Sequence, residues 1–300
     1  MLILDEAQVR RHLTYEALIP ALEQALIRFS TGEITQPVRT ILPVAEHNGV
    51  FGLMPAILSG ADGDLMGVKL VTFYHDNTTL PTHQAVIQLF SARTGEPLAT
   101  LDGRLITEMR TAAVTAIAAR LFTAEKPLTV AILGSGVQAR AHLKALRIVR
   151  EIREVRVWSR TPAHADAFAS ESGAVALPLE EAISGADMVV GVANVSEPLI
   201  RGKHLSPDTF VAAIAAVGAS KRELDDEAMQ ASIIVESRES ALRESGDIID
   251  TDTPINAELG EILAGKSAMP PQGRRVVYKG LGIAAEDLVA ARLVYEAGSR

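Results

Sequence analysis

The 300-residue chain contains no cysteine. That excludes a disulfide scaffold, an iron–sulfur centre, a thiolate zinc site and a cysteine nucleophile. It has no basic run: 37 acids outnumber 29 bases for a net charge of −8. A nucleic-acid groove and a polybasic membrane face are therefore not expected. Apolar stretches such as Phe210–Ala219 fall well short of the ~18 residues that span a bilayer. The opening Met-Leu-Ile-Leu-Asp-Glu lacks a basic n-region and a long apolar core, so no signal peptide is read and a cytoplasmic protein is expected. The seven histidines show no H-x-x-x-H pairing, so no metal is expected. No internal repeat of about 20–50 residues and no low-complexity segment is present. What the chain does have is apolar material, 48% of residues, enough for a sizeable core and, at this length, for two domains.

The first third reads as mixed α and β. Asp5 and Thr14 can each cap a helix, and Leu18, Leu22, Leu26 and Phe29 line one helical face up to Gly32. Short strands follow at Phe51–Met54, Val68–Phe73, Ala85–Phe90 and Leu98–Leu101, with turn-rich spacers that suit an antiparallel sheet. The rhythm then changes. A helical run from Met109 to Leu121 leads to the apolar strand Leu128–Leu133, a glycine loop and a helix over Ala139–Val149. Strands over Val155–Trp158, Met188–Ala193, Phe210–Val217, Ile233–Val235 and Val276–Tyr278 alternate with helical stretches such as His164–Ser172 and Glu180–Ile183. Strands apolar on both faces, alternating with helices, predict an α/β fold with a Rossmann-type doubly wound parallel sheet, beside an α+β domain with antiparallel strands. The expected division is 1–118, completed by 279–300, against 119–278.

Gly134-Ser135-Gly136-Val137-Gln138-Ala139 fits G-x-G-x-x-A, follows a strand and opens a helix. Gly134 permits the tight turn, Gly136 lets the backbone approach a pyrophosphate, and Ala139 keeps the helix close to the sheet; the helix N-terminus offers unpaired N–H groups. At the end of the second strand an NAD site would place an acid for the ribose 2′-hydroxyl. Here Ser159-Arg160-Thr161 carries none, and Arg160 suits a 2′-phosphate, so NADPH is expected, with NADH possible. Gly280 to Ala285 repeats the G-x-G-x-x-A pattern, but only fifteen residues follow, too few for another βαβ unit. That turn is expected to close over the cofactor or return the chain to the first domain.

Several runs carry a family resemblance: Gly67-Val68-Lys69, Pro81-Thr82-His83-Gln84, Thr94 to Leu98, Thr107 to Ala113, Glu239 to Asp247 and Tyr278 to Asp287. On these runs the chain resembles the ornithine cyclodeaminase/mu-crystallin family from end to end. The resemblance implies a homodimer, with the first domain supplying the substrate pocket and the dimer interface. It also implies nicotinamide chemistry at a carbon bearing nitrogen and a carboxylate; the family includes cyclodeaminases, alanine and opine dehydrogenases, and ketimine reductases. Carried over by residue, it makes Arg39, Lys69 and Arg110 the substrate-site cations. Cofactor contacts are implied at Thr82, His83, Arg110, Thr111, Ala193, Asn194, Val217, Gly218 and Gly280, beside Gly134 to Gln138 (Val137 included) and Ser159 to Thr161. His83 has a second reading as a turn histidine.

The chemistry of those cations is sensible in itself. Two guanidiniums can hold a carboxylate, and Lys69 can donate a proton to nitrogen if burial and neighbouring cations lower its pKa. Cyclodeaminases resembling this chain carry a Glu before the Met-Pro, where Leu53 stands, and an Asp where Ala219 and Ser220 stand. Asp225, in Glu223-Leu224-Asp225, looks like a helix cap instead. The expected activity is thus NADPH-dependent reduction of the C=N bond of a cyclic imino acid, Δ1-pyrroline-2-carboxylate or Δ1-piperideine-2-carboxylate, to proline or pipecolate. The alternatives are an ornithine cyclodeaminase, an alanine- or opine-type dehydrogenase, and a non-catalytic NADPH or small-ligand binding protein.

Overall fold

A computed structural model describes residues 1–60 and 64–299. The chain forms two compact units, Met1–Thr111 with Gly282–Arg300, and Ala112–Leu281.

The first unit begins with β1 (Leu2–Leu4), α1 (Glu6–His12) and α2 (Tyr15–Ser30). Asp5 accepts the Gln8 N–H at 2.8 Å while Gln8 Oε1 accepts the Asp5 N–H at 2.9 Å, a reciprocal cap on α1. Thr14 caps α2, whose Leu18, Leu22 and Leu26 are fully buried. Strands β2 (Ile34–Thr35), β3 (Thr40–Val44), β4 (Gly49–Leu58), β5 (Leu65–Tyr74), β6 (His83–Ser91) and β7 (Pro97–Asp102) follow. The sheet order is β1-β7-β6-β5-β4-β2, with β3 also on β4; β4 through β7 pair antiparallel as expected, whereas β1 joins β7 in parallel. Because strand side chains alternate, Met54, Ala56, Gly67, Lys69, Ile87 and Leu89 are buried on one face. The C-terminal helix α10 (Ala284–Gly298) covers that face and packs against α2. The other face carries Leu53, Pro55, Ile57, Met66, Val68 and Phe90, partly exposed.

Helix α3 (Arg104–Phe122) starts in the first unit and ends in the second, so the units divide inside a helix, at 111/112 and 281/282. A change in sequence rhythm cannot mark a boundary within one continuous helix, which is why the expected positions, 118/119 and 278/279, lie a few residues away.

The second unit runs β8 (Leu128–Leu133), α4 (Val137–Val149), β9 (Ile152–Trp158), α5 (Pro162–Ser172), β10 (Val175–Ala176), α6 (Leu179–Ile183), β11 (Met188–Gly191), β12 (Phe210–Ala213), β13 (Ser232–Val235), α7 (Arg238–Glu244), α8 (Gly246–Ile249), β14 (Ile255–Glu258), α9 (Leu259–Leu263) and β15 (Val276–Lys279). All eight strands are parallel, in the order β10-β9-β8-β11-β12-β15-β13-β14. Chain order reverses between β8 and β11, which makes the carboxyl ends of those strands the ligand-binding crevice of such a sheet. The strand expected over Phe210–Val217 ends at Ala213. Beyond it, the Ala215 and Ala216 N–H groups donate to the Glu223 carboxylate rather than to a neighbouring strand.

Candidate functional site

In the second unit, Gly134 sits at φ +128°, and a Cβ there would lie 3.0 Å from the Ala193 nitrogen and the Val192 carbonyl carbon. Only glycine fits this turn. Gly136 is the N-cap of α4 with no side-chain cap, and a Cβ on it would meet nothing within 4 Å. No side chain therefore caps the first turn of α4, and the space beside Gly136 is open. Gln138 Oε1 is buried without a hydrogen-bond partner among the described residues. These are features a dinucleotide pyrophosphate would satisfy, so the residues present fit that group. Ser135 Oγ donates to Ser159 Oγ at 2.9 Å, tying the loop to the end of β9, where Arg160 and Thr161 are exposed. Ala193 and Asn194 follow β11, Val217 and Gly218 follow the β12 segment, and Gly280 follows β15. These residues therefore follow, in sequence, five of the parallel strands of the sheet.

Sequence reasoning missed Arg140. From the first turn of α4 it donates to the Ser135 carbonyl at 2.6 Å and pairs with Glu171 at 2.6 Å, bracing the glycine loop. It also missed a buried cluster: Lys279 Nζ meets Glu223 Oε1 at 2.6 Å and Asp247 Oδ2 at 3.0 Å. Asp247 Oδ1 accepts the N–H groups of Glu223 and Leu224. Glu223 is thus a buried ion partner. Asp225 caps the turn ending at Ala228, accepting its N–H at 2.8 Å.

The first unit brings Arg39, Lys69 and Arg110 around the segment from Gly282 to Asp287. Lys69 projects from the buried face of β5, in register with Met54 and Ile87. Its Nζ lies 2.6 Å from Asp287 Oδ2 and 3.5 Å from Thr107 Oγ1. Arg110, on α3, donates Nε to Asp287 Oδ1 at 3.0 Å and NH1 to Glu286 Oε2 at 2.8 Å. Arg39 donates to the Gly282 carbonyl at 2.6 Å. Gly282 has φ +76°, and a Cβ there would overlap the Arg110 guanidinium, so close approach and backbone both require glycine. Thr111 donates its hydroxyl to the Thr107 carbonyl in its own helix, and Thr82 accepts the Tyr74 N–H.

Electrostatics separate these groups. Burial, foremost, lowers the Lys69 ammonium to about 8; Asp287 opposes the shift, while Arg110 and Arg39 add to it. Of the two expected causes, burial is thus the larger and the neighbouring arginines the smaller. Burial also pushes His83, at the start of β6, down to about 4, with Lys69 and Arg110 adding to the shift. His83 therefore belongs with the cation cluster as a neutral group. Burial pushes Asp287 up, but Arg110 and Lys69 outweigh it and hold the carboxyl below its ordinary range. The arrangement can hold an anion beside an acidic ammonium.

Glu286 and Asp287 escaped sequence reasoning as site residues, because two acids in the first turn of a helix read as complements to the helix dipole. The usable signal was their position in the otherwise apolar start of α10. Leu53 needs a correction of another kind. It pairs with Leu70 on the sheet face opposite Lys69, while Met54 shares the Lys69 face, so the residue at 53 does not report on acid–base groups beside Lys69.

A doubly wound parallel sheet with a G-x-G-x-x-A turn, joined to an α+β unit with a buried cation cluster, defines a two-unit protein of the Rossmann dinucleotide-binding class. Within that class, the chain belongs to the ornithine cyclodeaminase/mu-crystallin family, whose model matches residues 1–300. It is 44% identical over 307 residues to a ketimine reductase mu-crystallin of Mus musculus, covering 99% of this chain and 97% of the relative. The Δ1-pyrroline-2-carboxylate reductase of Thermococcus litoralis, solved with NADH and L-proline, superposes with a TM-score of 0.94 at 32% identity, covering 100% of this chain and 98% of that one. An archaeal alanine dehydrogenase dimer with bound NAD superposes with a TM-score of 0.92 at 29% identity, over 100% and 96% of the two chains.

Proposed function

We propose that this protein reduces the C=N bond of a cyclic imino acid, Δ1-pyrroline-2-carboxylate or Δ1-piperideine-2-carboxylate, using NADPH. The observation that carries this reading is the buried Lys69 ammonium, lowered to about 8 and flanked by Arg110 and Arg39. A nicotinamide cofactor, when bound, supplies the hydride. Arg39 and Arg110 hold the substrate carboxylate, fixing the imine carbon. Lys69 Nζ donates the proton to the ring nitrogen, since an iminium accepts hydride far better than a neutral imine. The glycine loop from Gly134 to Gln138 holds the pyrophosphate, and Arg160, with Ser159 and Thr161, holds the 2′-phosphate. The names of the mouse and Thermococcus relatives support the substrate class.

Cyclodeamination is disfavoured by a specific observation. A diamine substrate brings a distal ammonium that needs a further carboxylate, whereas Asp287 is held by Lys69 and Arg110 and Glu286 by Arg110, so neither is a spare acid–base group. Position 219/220 offers Ala219 and Ser220. A panel of the two cyclic imines, pyruvate with ammonia, and ornithine tests the reading. NADPH oxidation is expected with a cyclic imine, and negligible proline formation from ornithine with NAD. Robust proline formation from ornithine would reverse the assignment.

We also infer a homodimer built on the outer face of the first sheet, where Pro55, Ile57, Met66, Val68 and Phe90 line an open apolar hollow. An apolar sheet face of this kind is an association surface, and the archaeal alanine dehydrogenase is a dimer. Sedimentation equilibrium is expected to give twice the chain mass; a monomer at micromolar concentration would contradict the inference.

A further inference from the structure

The segment Gly282–Asp287 touches every cation of the substrate site: Gly282 through its carbonyl, Glu286 through Arg110, and Asp287 through two cations at once. The two carboxylate oxygens of Asp287 are divided between Lys69, at 2.6 Å, and Arg110, at 3.0 Å. The residue is 0% exposed, so no solvent competes for either contact. We propose that Asp287 is a positioning residue of the reductase site, fixing the Lys69 ammonium and the Arg110 guanidinium relative to each other and setting the site's charge for one carboxylate. This rests on Lys69 being the proton donor.

Arg39, Lys69 and Arg110 are three cations; Glu286 and Asp287 are two anions; His83 is neutral at pH 7. Among these groups one positive charge is in excess, which a substrate monoanion neutralises; Arg104, which also acts on His83, is paired with Glu6. A dicarboxylate leaves a negative charge unmatched in a buried site, where unpaired charge is strongly disfavoured. The groups acting on Lys69 come from four places: Asp287 on α10, with Glu286 acting through Arg110; Arg110 and the Thr107 hydroxyl on α3; Arg39 ahead of β3; and His83 on β6. Among them Asp287 is the carboxylate in direct contact with Nζ.

Two measurements on Asp287→Asn test this. The first is the pH profile of kcat/KM with the cyclic imine. A protonated donor keeps the reaction running below its pKa, and activity falls above it. Removing the Asp287 charge is expected to move that fall to lower pH, costing about tenfold at pH 8.5 relative to pH 6 beyond any loss in the wild type. Asp287→Glu keeps the charge but displaces Nζ; it is expected to leave the fall in place while lowering kcat about tenfold. The second is calorimetric binding of pyrrole-2-carboxylate and pyrrole-2,5-dicarboxylate at pH 6. The wild type is expected to prefer the monoanion, and Asp287→Asn, with two positive charges in excess, to shift the ratio at least about tenfold toward the dianion.

A folded Asp287→Asn variant with an unmoved profile and an unchanged ratio overturns the proposal. If Asn at 287 does not fold, Asp287→Glu decides: wild-type kcat with a wild-type profile overturns it. Should Lys69→Met leave turnover intact, it is the donor assignment that fails, and the anion-binding ratio still reports on Asp287 by itself.

Discussion

Replacing Lys69 by methionine is expected to lower kcat about 10²–10⁴-fold, the usual reach of general acid catalysis, with NADPH affinity little changed. The other titratable groups of the cluster are poorer donors. Arg39 and Arg110 do not donate, since guanidinium stays charged with a pKa above ~12. His83, lowered to about 4, carries no spare proton at neutral pH. Asp287 is held ionised by its two cations. Lys69, at about 8, stays mostly protonated at pH 7 yet is a stronger acid than an ordinary lysine. A lysine paired to a carboxylate also has a purely structural reading, and the variant separates the two: a structural lysine would alter stability and leave turnover intact. Asp287 keeps Arg110 as a partner when Lys69 is gone, so the folding penalty should stay below the ~3–5 kcal/mol of a stranded buried charge. Stopped-flow single turnover with saturating cyclic imine checks the chemical step; near-normal turnover would move the proton source to water.

Arg160→Ala is expected to erase most of the preference for NADPH while sparing NADH. The loss of one charge-assisted hydrogen bond is worth ~1.5–3 kcal/mol, or roughly 10–150-fold. Arg160 is exposed at the end of β9, beside Ser159, whose hydroxyl already joins the glycine loop. No carboxylate stands at 159–161 to accept a ribose 2′-hydroxyl. Paired kcat/KM values for the two cofactors measure the preference; equal use by the unaltered protein would show that Arg160 does not discriminate.

What could be read from the sequence followed the range of the forces involved. Strand β8 and the glycine loop were legible because a continuous apolar run, a turn requiring φ > 0 and a helix start are local demands. The caps at Asp5 and Thr14 were legible for the same reason. Strand β3 was not, since it is largely exposed and contains Pro43, so it shows no alternation. The early end of β12 was hidden because the carboxylate that takes the Ala215 and Ala216 N–H groups comes from Glu223. In the candidate site, the cations were found through family motifs and the chemistry of carboxylate binding. Their counter-ions were missed because the partners of Glu286 and Asp287 are cations far upstream; the sequence hints at them only by placing two acids in an otherwise apolar helix start.

The central claim is hydride delivery to the imine carbon of a cyclic imino acid with proton delivery to its nitrogen. The most direct measurement is isotopic: reaction of Δ1-pyrroline-2-carboxylate and Δ1-piperideine-2-carboxylate with NADPH dideuterated at C4 of the nicotinamide, followed by mass and NMR analysis of the product. The account predicts proline or pipecolate carrying one deuterium, at Cα, formed as NADPH is consumed. No cofactor oxidation with either imine, or product whose Cα hydrogen comes from solvent, would contradict it.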